Sequence, residues 1–313
     1  MRVLFSLLLT CQLMLALPAA AASSHTTPQT TPHIVASVEP LSMLLREVLG
    51  DDVRVSTLLA PQQNPHQVSF TPGQARALRD ADLVVWLGAE AEPQVAQMVQ
   101  RHARAALALT DLPSVYRRDG DEGHLHTDDH EDDDGHHHHD LLDPHLWLYP
   151  ENMLRLAQAL PDQAVLADLP DWPARLATFE ARLNDTVTTQ REQLAPLAER
   201  LYLSHHDPWA YFADAFGIQR PLIISHNIEA SASSRRFAEI HRTMAVRQVR
   251  CVMAEPEGRR ALLERLCRDD CLLVEADPMG RYLVSEQPGA HYTALLAHLG
   301  DLFGECLAGP VGN

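Results

Sequence analysis

Thr71-Pro72-Gly73-Gln74-Ala75-Arg76-Ala77-Leu78-Arg79-Asp80-Ala81-Asp82-Leu83-Val84-Val85-Trp86-Leu87 carries one full helix-then-strand unit, and that unit decides the fold. Thr71-Pro72 opens a helix with proline at its first position, and the helix continues to Arg79. Residues 83–87 form a short, wholly apolar run that reads as a buried strand. The same alternation extends in both directions. Upstream, 34–38 and 53–59 read as strands, and 41–49 as a helix ended by Gly50. Downstream, 93–102 is helical and 105–109 is a fourth apolar run. Strands alternating with helices imply a parallel sheet with right-handed crossovers.

The second half repeats the pattern. Strands are expected at 201–204, 222–224, 249–254 and 272–275, and helices at 208–216, 234–244, 259–267 and 292–303. Between the halves, 172–199 reads as one long helix. Leu176, Phe179, Leu183, Val187 and Leu194 recur in it at helical spacing, and Pro196 ends or kinks it. At 1.5 Å per residue, roughly 22 residues span about 33 Å, enough to cross a lobe. The fold class is therefore α/β: two lobes of parallel sheet and flanking helices, joined by a long helix, with a cleft between them. The chain divides into a leader at 1–22, a first lobe at 33–170, a linker helix at 171–199 and a second lobe at 200–313.

Arg2, the apolar run 3–17, Pro18 and the alanines of 19–22 read as a cleavable secretory signal, cut near Ala22. The run is too short to span a membrane. The remaining residues, about 290, allow two domains with cores of their own. The net charge of −17 argues against nucleic acid or an anionic membrane as partner. Export exposes Cys251, Cys267, Cys271 and Cys306 to oxidising conditions, where three pairings are open to them.

Much of the negative charge lies in residues 119–140. This stretch holds ten carboxylates, no lysine or arginine, and seven histidines: His124, His126, His130, His136, His137, His138 and His139. With little apolar surface to bury, it reads as a solvated loop. Its imidazoles suit zinc, copper or nickel. A flexible loop makes an accessory site, so a rigid one is expected at the carboxyl ends of the strands, where parallel sheets bind ligands. His66 follows the second strand in Asn64-Pro65-His66. His206 follows the strand ending at Ser204. Asp277 follows the strand ending at Glu275, and His145 comes directly after the acidic loop. Three imidazoles and one oxygen suit four-coordinate zinc. His205 should point away from His206. His226 lies near a strand end without a matching motif, and Asp207 should orient its loop or cap the helix at Pro208. Glu255 is a candidate acceptor for a ligand imidazole.

Taken in order, these motifs resemble the periplasmic solute-binding component of bacterial zinc ABC importers. That component sits within the wider zinc/manganese-binding and cell-adhesion protein family. The resemblance rests on Asn64-Pro65-His66, Arg79-Asp80-Ala81-Asp82-Leu83-Val84-Val85, the His-rich loop and Asp143-Pro144-His145-Leu146-Trp147-Leu148. It continues in His206-Asp207 with Tyr211-Phe212 and Phe216-Gly217, in Ala254-Glu255-Pro256 and in Asp277-Pro278-Met279-Gly280. It implies a four-stranded parallel sheet in each lobe and Zn2+ carried between the lobes. The implied ligands are His66, His145 and His206, with Asp277 in the fourth position or facing it across a water. Some zinc relatives have glutamate where this chain has Pro65, which gives Asp277 more weight. Manganese-binding relatives carry a carboxylate where His206 stands, and three imidazoles favour zinc. The resemblance also implies a Cys251–Cys306 disulfide, worth about 4 kcal/mol in the loop-entropy model.

The function so implied is capture of Zn2+ and delivery to the membrane permease of an ABC importer. The protein would act as a monomer, with a periplasmic metallochaperone as a further partner. It is not read as an enzyme, and it lacks the glycine loop an ATPase needs. Its alternatives are a secreted zinc hydrolase, though no H-E-x-x-H is present, and a periplasmic zinc or manganese buffering protein. Because neutral imidazole is the binding form, affinity should fall as pH drops through the histidine range.

Overall fold

The structure is a computed structural model, and it describes residues 31–59, 63, 69–119, 142–225, 233–268 and 271–310. The expected leader, His66, His226 and all seven loop histidines lie outside those residues.

The first half contributes β1 (His33–Ala36), α1 (Glu39–Leu49), β2 (Arg54–Thr57), α2 (Pro72–Asp80), β3 (Leu83–Trp86), α3 (Pro93–His102) and β4 (Ala106–Ala108). The four strands form one parallel sheet in the order β2-β1-β3-β4. α4 (Pro150–Ala159) and α5 (Trp172–Leu194) follow. Then come β5 (Leu203–Ser204), α6 (Ala210–Phe216), β6 (Leu222–Ile223), α7 (Ser234–Arg247), β7 (Cys251–Ala254), α8 (Arg260–Leu266), β8 (Leu272–Glu275), α9 (Arg281–Glu286) and α10 (Tyr292–Ala308). Their strands form a second parallel sheet, β6-β5-β7-β8, with the same topology as the first. Each sheet grows outward from its first strand, so the crossing connection lies over that strand and leaves a switch point beside it.

Alternation within the strands explains why they read as unbroken apolar runs. In β3, Leu83 and Val85 face a large core shared with α1, α4, α5, α6 and α10, while Val84 and Trp86 face a smaller core under α2 and α3. In β7, Cys251 and Met253 face the shared core, while Val252 and Ala254 face a small core under α7 and α8. Both faces of the central strands β1, β3 and β7 are therefore covered. An aromatic cluster of the shared core centres on Phe303 of α10. Its ring lies 5.2 Å from Tyr202, 5.1 Å from Trp209 and 4.8 Å from Phe212 between centroids.

Three differences from the sequence reading stand out. α4 was not anticipated, and it buries Met153, Leu154, Leu156 and Ala157 in the shared core. The helix expected at Pro208 begins at Ala210, because Asp207 first accepts the Trp209 N–H at 3.0 Å in a turn and pairs with Arg220. The long helix stops at Leu194, and a 3-10 turn over Ala195–Leu197 absorbs Pro196. The implied Cys251–Cys306 disulfide is present and ties β7 to α10. Cys267 and Cys271 form a second one at the foot of α8. Among the described residues no helix is long and apolar enough to cross a membrane.

Candidate metal centre

His145 stands at the entrance of a 3-10 turn, Leu146–Leu148, that is fastened at every level. Asp143 Oδ1 accepts both the His145 backbone N–H at 3.0 Å and the ring Nδ1–H at 2.7 Å. The Asp143 carbonyl in turn accepts the Tyr211 hydroxyl at 3.3 Å. Trp147 donates its indole N–H to the Pro278 carbonyl at 2.9 Å, and its own carbonyl accepts the Tyr292 hydroxyl at 2.6 Å. Asn152 of α4 donates to the Leu146 and Tyr116 carbonyls and accepts the Tyr116 N–H. An antiparallel bridge between Asp119 and Leu142 brings the two ends of the acidic loop together one residue before Asp143.

His206 lies two residues past β5. The β5–β7 register pairs Leu203 with Val252 and Ser204 with Met253, so continuing it two residues brings His206 level with Glu255. Its Nδ1 forms an ion pair with Glu255 Oε2, whose side chain is fully buried. The other carboxylate oxygen accepts the Ser204 hydroxyl at 2.5 Å, and Ser204 Oγ receives the Trp209 indole N–H at 3.3 Å. Burial lowers the His206 pKa, but the charge and hydrogen bond of Glu255 outweigh it and the net shift is upward. The acceptor anticipated for Glu255 is thus realised in geometry.

The two imidazoles come from opposite halves of the chain and face each other with centroids 5.8 Å apart and planes at 57°. Two rings sharing one tetrahedral zinc at about 2.0–2.1 Å put their centroids roughly 5–6 Å apart. With Nδ1 of each ring on a carboxylate, Nε2 is the ring nitrogen that would face a metal. Among the described residues, no group of three His, Cys, Asp or Glu side chains converges to hold an ion. Asp277 is bonded within its own turn. It is buried, and its carboxylate accepts the Met279 N–H, the Arg281 N–H and the Arg281 guanidinium.

The neighbours sort as follows. His205 is fully buried, and neither ring nitrogen has a hydrogen-bond partner among the described residues. Burial lowers its pKa, which keeps it neutral. Asp207 is held by Arg220 and Trp209 and serves its loop. Sequence reasoning missed the roles of Asp143, Ser204 and Arg281. The first was signalled by an aspartate two residues before His145. The third was signalled by an arginine four residues after Asp277 at a helix start. Ser204 had no sequence signal, since its partner lies 51 residues away.

Comparison with known proteins agrees with this architecture. The model of the family "ZnuA: Zinc-uptake complex component A periplasmic" matches residues 34–306. The chain is 28% identical to the high-affinity zinc uptake system protein ZnuA of Paracoccus denitrificans, over 88% of this chain and 92% of that protein. It is 26% identical to the protein of the same name from Yersinia pestis, over 88% and 91% of the two chains. A crystal structure of ZnuA superposes with a TM-score of 0.72 at 20% identity, covering 88% of this chain and 99% of the other. The chain belongs to the periplasmic zinc-uptake complex component A family.

Proposed function

We propose that this protein captures Zn2+ outside the cytoplasmic membrane and delivers it to the permease of an ABC importer. The observation that carries this reading is the facing pair His145 and His206, each with its Nδ1 on a buried carboxylate. A carboxylate behind an imidazole fixes its tautomer and raises its basicity, as metal-binding histidines require. His66 is the third ligand in this reading. The nitrogen-rich set favours zinc over oxygen-preferring ions. Relatives named as zinc uptake proteins support the same cargo.

The loop histidines His124, His126, His130, His136, His137, His138 and His139 form a weaker accessory site that gathers metal near the cleft. The Asp119–Leu142 bridge supports that role, because it roots the loop beside the His145 turn. Export through cleavage near Ala22 and action as a monomer complete the proposal.

A competitive zinc titration with metal counted per molecule tests it, on the mature protein and on a His66→Ala, His206→Ala double variant. Loss of one tight zinc, with weak loop binding left, is expected. Tight binding unchanged in the double variant would place the main site elsewhere and overturn the proposal.

A further inference from the structure

Asp277 is the residue that sequence and resemblance put forward as oxygen donor, yet its lone pairs are already engaged. A carboxylate has about four good acceptor directions. Here Oδ1 accepts the Met279 N–H at 3.1 Å and Arg281 Nη2 at 2.8 Å. Oδ2 accepts the Arg281 backbone N–H at 2.6 Å and the guanidinium Nε at 3.0 Å. The Asp277 side chain is 3% exposed and that of Arg281 10%. The guanidinium also pairs with Glu257, which is 14% exposed.

The turn that makes this grip leaves little freedom. Gly280 sits at φ 69° directly before α9, and a Cβ there would stand 2.7 Å from the Met43 side chain. That left-handed backbone favours glycine, and Arg281 follows it at the first turn of the helix. Burial works against the Arg281 charge, but hydrogen bonds and charges from Asp277 and Glu257 prevail and raise its pKa. For Asp277 to bind a metal, at least one charge-assisted hydrogen bond must break in a dry environment, which is costly.

We propose that Arg281 is a specificity-determining residue: by gripping Asp277 it withholds the oxygen donor, so the ion is held by imidazoles with one exchangeable position. The inference rests on the interlobe site proposed above. Zinc tolerates that arrangement, since it binds with three protein ligands and one open position. Manganese, which favours carboxylate and carbonyl oxygen, is disfavoured.

The test uses the full mature chain and compares Zn2+ with Mn2+ by competitive titration, with the visible spectrum of bound Co2+ as report on coordination. The variants are Arg281→Gln, Asp277→Asn, the two combined, and His206→Ala. Arg281→Gln should raise manganese affinity relative to zinc by about tenfold, the scale on which outer-shell partners act. It should also change the Co2+ spectrum. Asp277→Asn should reverse both effects in the combined variant and change little alone. Should Arg281→Gln fail to fold, Arg281→Lys carries the test. It keeps the charge without the two-pronged grip, and the same direction is expected.

An unchanged Zn/Mn ratio in Arg281→Gln would overturn the proposal. So would a gain that survives in the combined variant, which would mean simple relief of charge repulsion. So would an Asp277→Asn loss as large as that of His206→Ala, which would make Asp277 a ligand already. If His206→Ala instead left tight zinc and the Co2+ spectrum intact, the interlobe site itself would have failed, and the present inference with it.

Discussion

The two sheets share one strand order, and in each a buried glutamate follows the third strand, Glu255 directly after β7 and Glu92 six residues beyond β3 at the start of α3, yet the two glutamates meet different fates. After β7, Glu255 takes the Ser204 hydroxyl on one oxygen and the His206 ring on the other. After β3, Glu92 takes the Leu87 N–H at 2.7 Å, with the Ser37 hydroxyl nearby. Ser204 is the last residue of β5, and Ser37 directly follows β1. Glu255 therefore faces an imidazole. Glu92, fully buried, is pushed up to about 7, chiefly by desolvation. One carboxylate holds an imidazole, and the other is desolvated with its proton-binding strengthened. What differs is the residue that register places beside it. What a buried carboxylate beyond a strand does is thus set by its neighbour, not by the fold.

Removing Glu255 breaks the comparison most severely. Glu255→Ala strips the His206 ring of its orienting partner and leaves the Ser204 hydroxyl only the Met253 carbonyl, at 3.2 Å, as acceptor. Zinc affinity should fall by about 10–100-fold. Stability should fall by about 3 kcal/mol, as for a buried pair that loses one member. A chelator competition and a urea melt measure the two effects. Affinity unchanged beside a lowered melt would show that Glu255 supports the fold and leaves the imidazole indifferent.

The asymmetry is only half visible in the sequence, for a physical reason. Local devices were legible. The Thr71 cap, with Gln74 closing a capping box, and the apolar run of β3 both follow from neighbours in the chain. So does the setting of His145, whose carboxylate lies two residues away. Phe179, Leu183 and Leu194, picked out by spacing, are the buried face of α5. Devices that depend on register were not legible. Glu255 was named only as a candidate acceptor, because nothing local says that β5 pairs with β7. α4 escaped notice because Asn152, a polar residue, sits wholly buried in its first turn and holds the Tyr116 backbone. Arg281 reads as an ordinary helix-start residue until the turn at Gly280 folds it back onto Asp277.

Glu92 offers the next largest effect, of opposite sign. Its folded pKa of about 7 lies above the usual carboxylate value of 4.5. Protons are therefore bound more tightly in the folded state. The stability this gives is complete below pH 4.5 and is lost as pH rises to about 7, beyond which it is flat. Glu92→Gln removes the titration and keeps an acceptor for the Leu87 N–H. The variant should match the parent near pH 4 and exceed it above pH 7 by up to about 3 kcal/mol. Unfolding titrations at a series of pH values decide it. Parallel curves for parent and variant would mean that Glu92 has a partner in the folded state that offsets its burial.

Asp143→Asn should be the mildest change, and it isolates what charge adds to a carboxylate behind an imidazole. Asparagine keeps an oxygen where Asp143 Oδ1 accepts from the His145 N–H and Nδ1, so the turn survives. Trp147, Tyr292 and Asn152 fasten that turn independently. Stability should change by less than about 1 kcal/mol. Zinc affinity should fall by no more than about tenfold, the lower end for such partners. His206 has no comparable local scaffold and depends on Glu255 from another strand, so the same reasoning ranks Glu255→Gln above Asp143→Asn in affinity lost. Isothermal titration of both amides gives that ranking directly. The reverse order would mean that the His145 turn, for all its fastenings, is held in shape by the Asp143 charge.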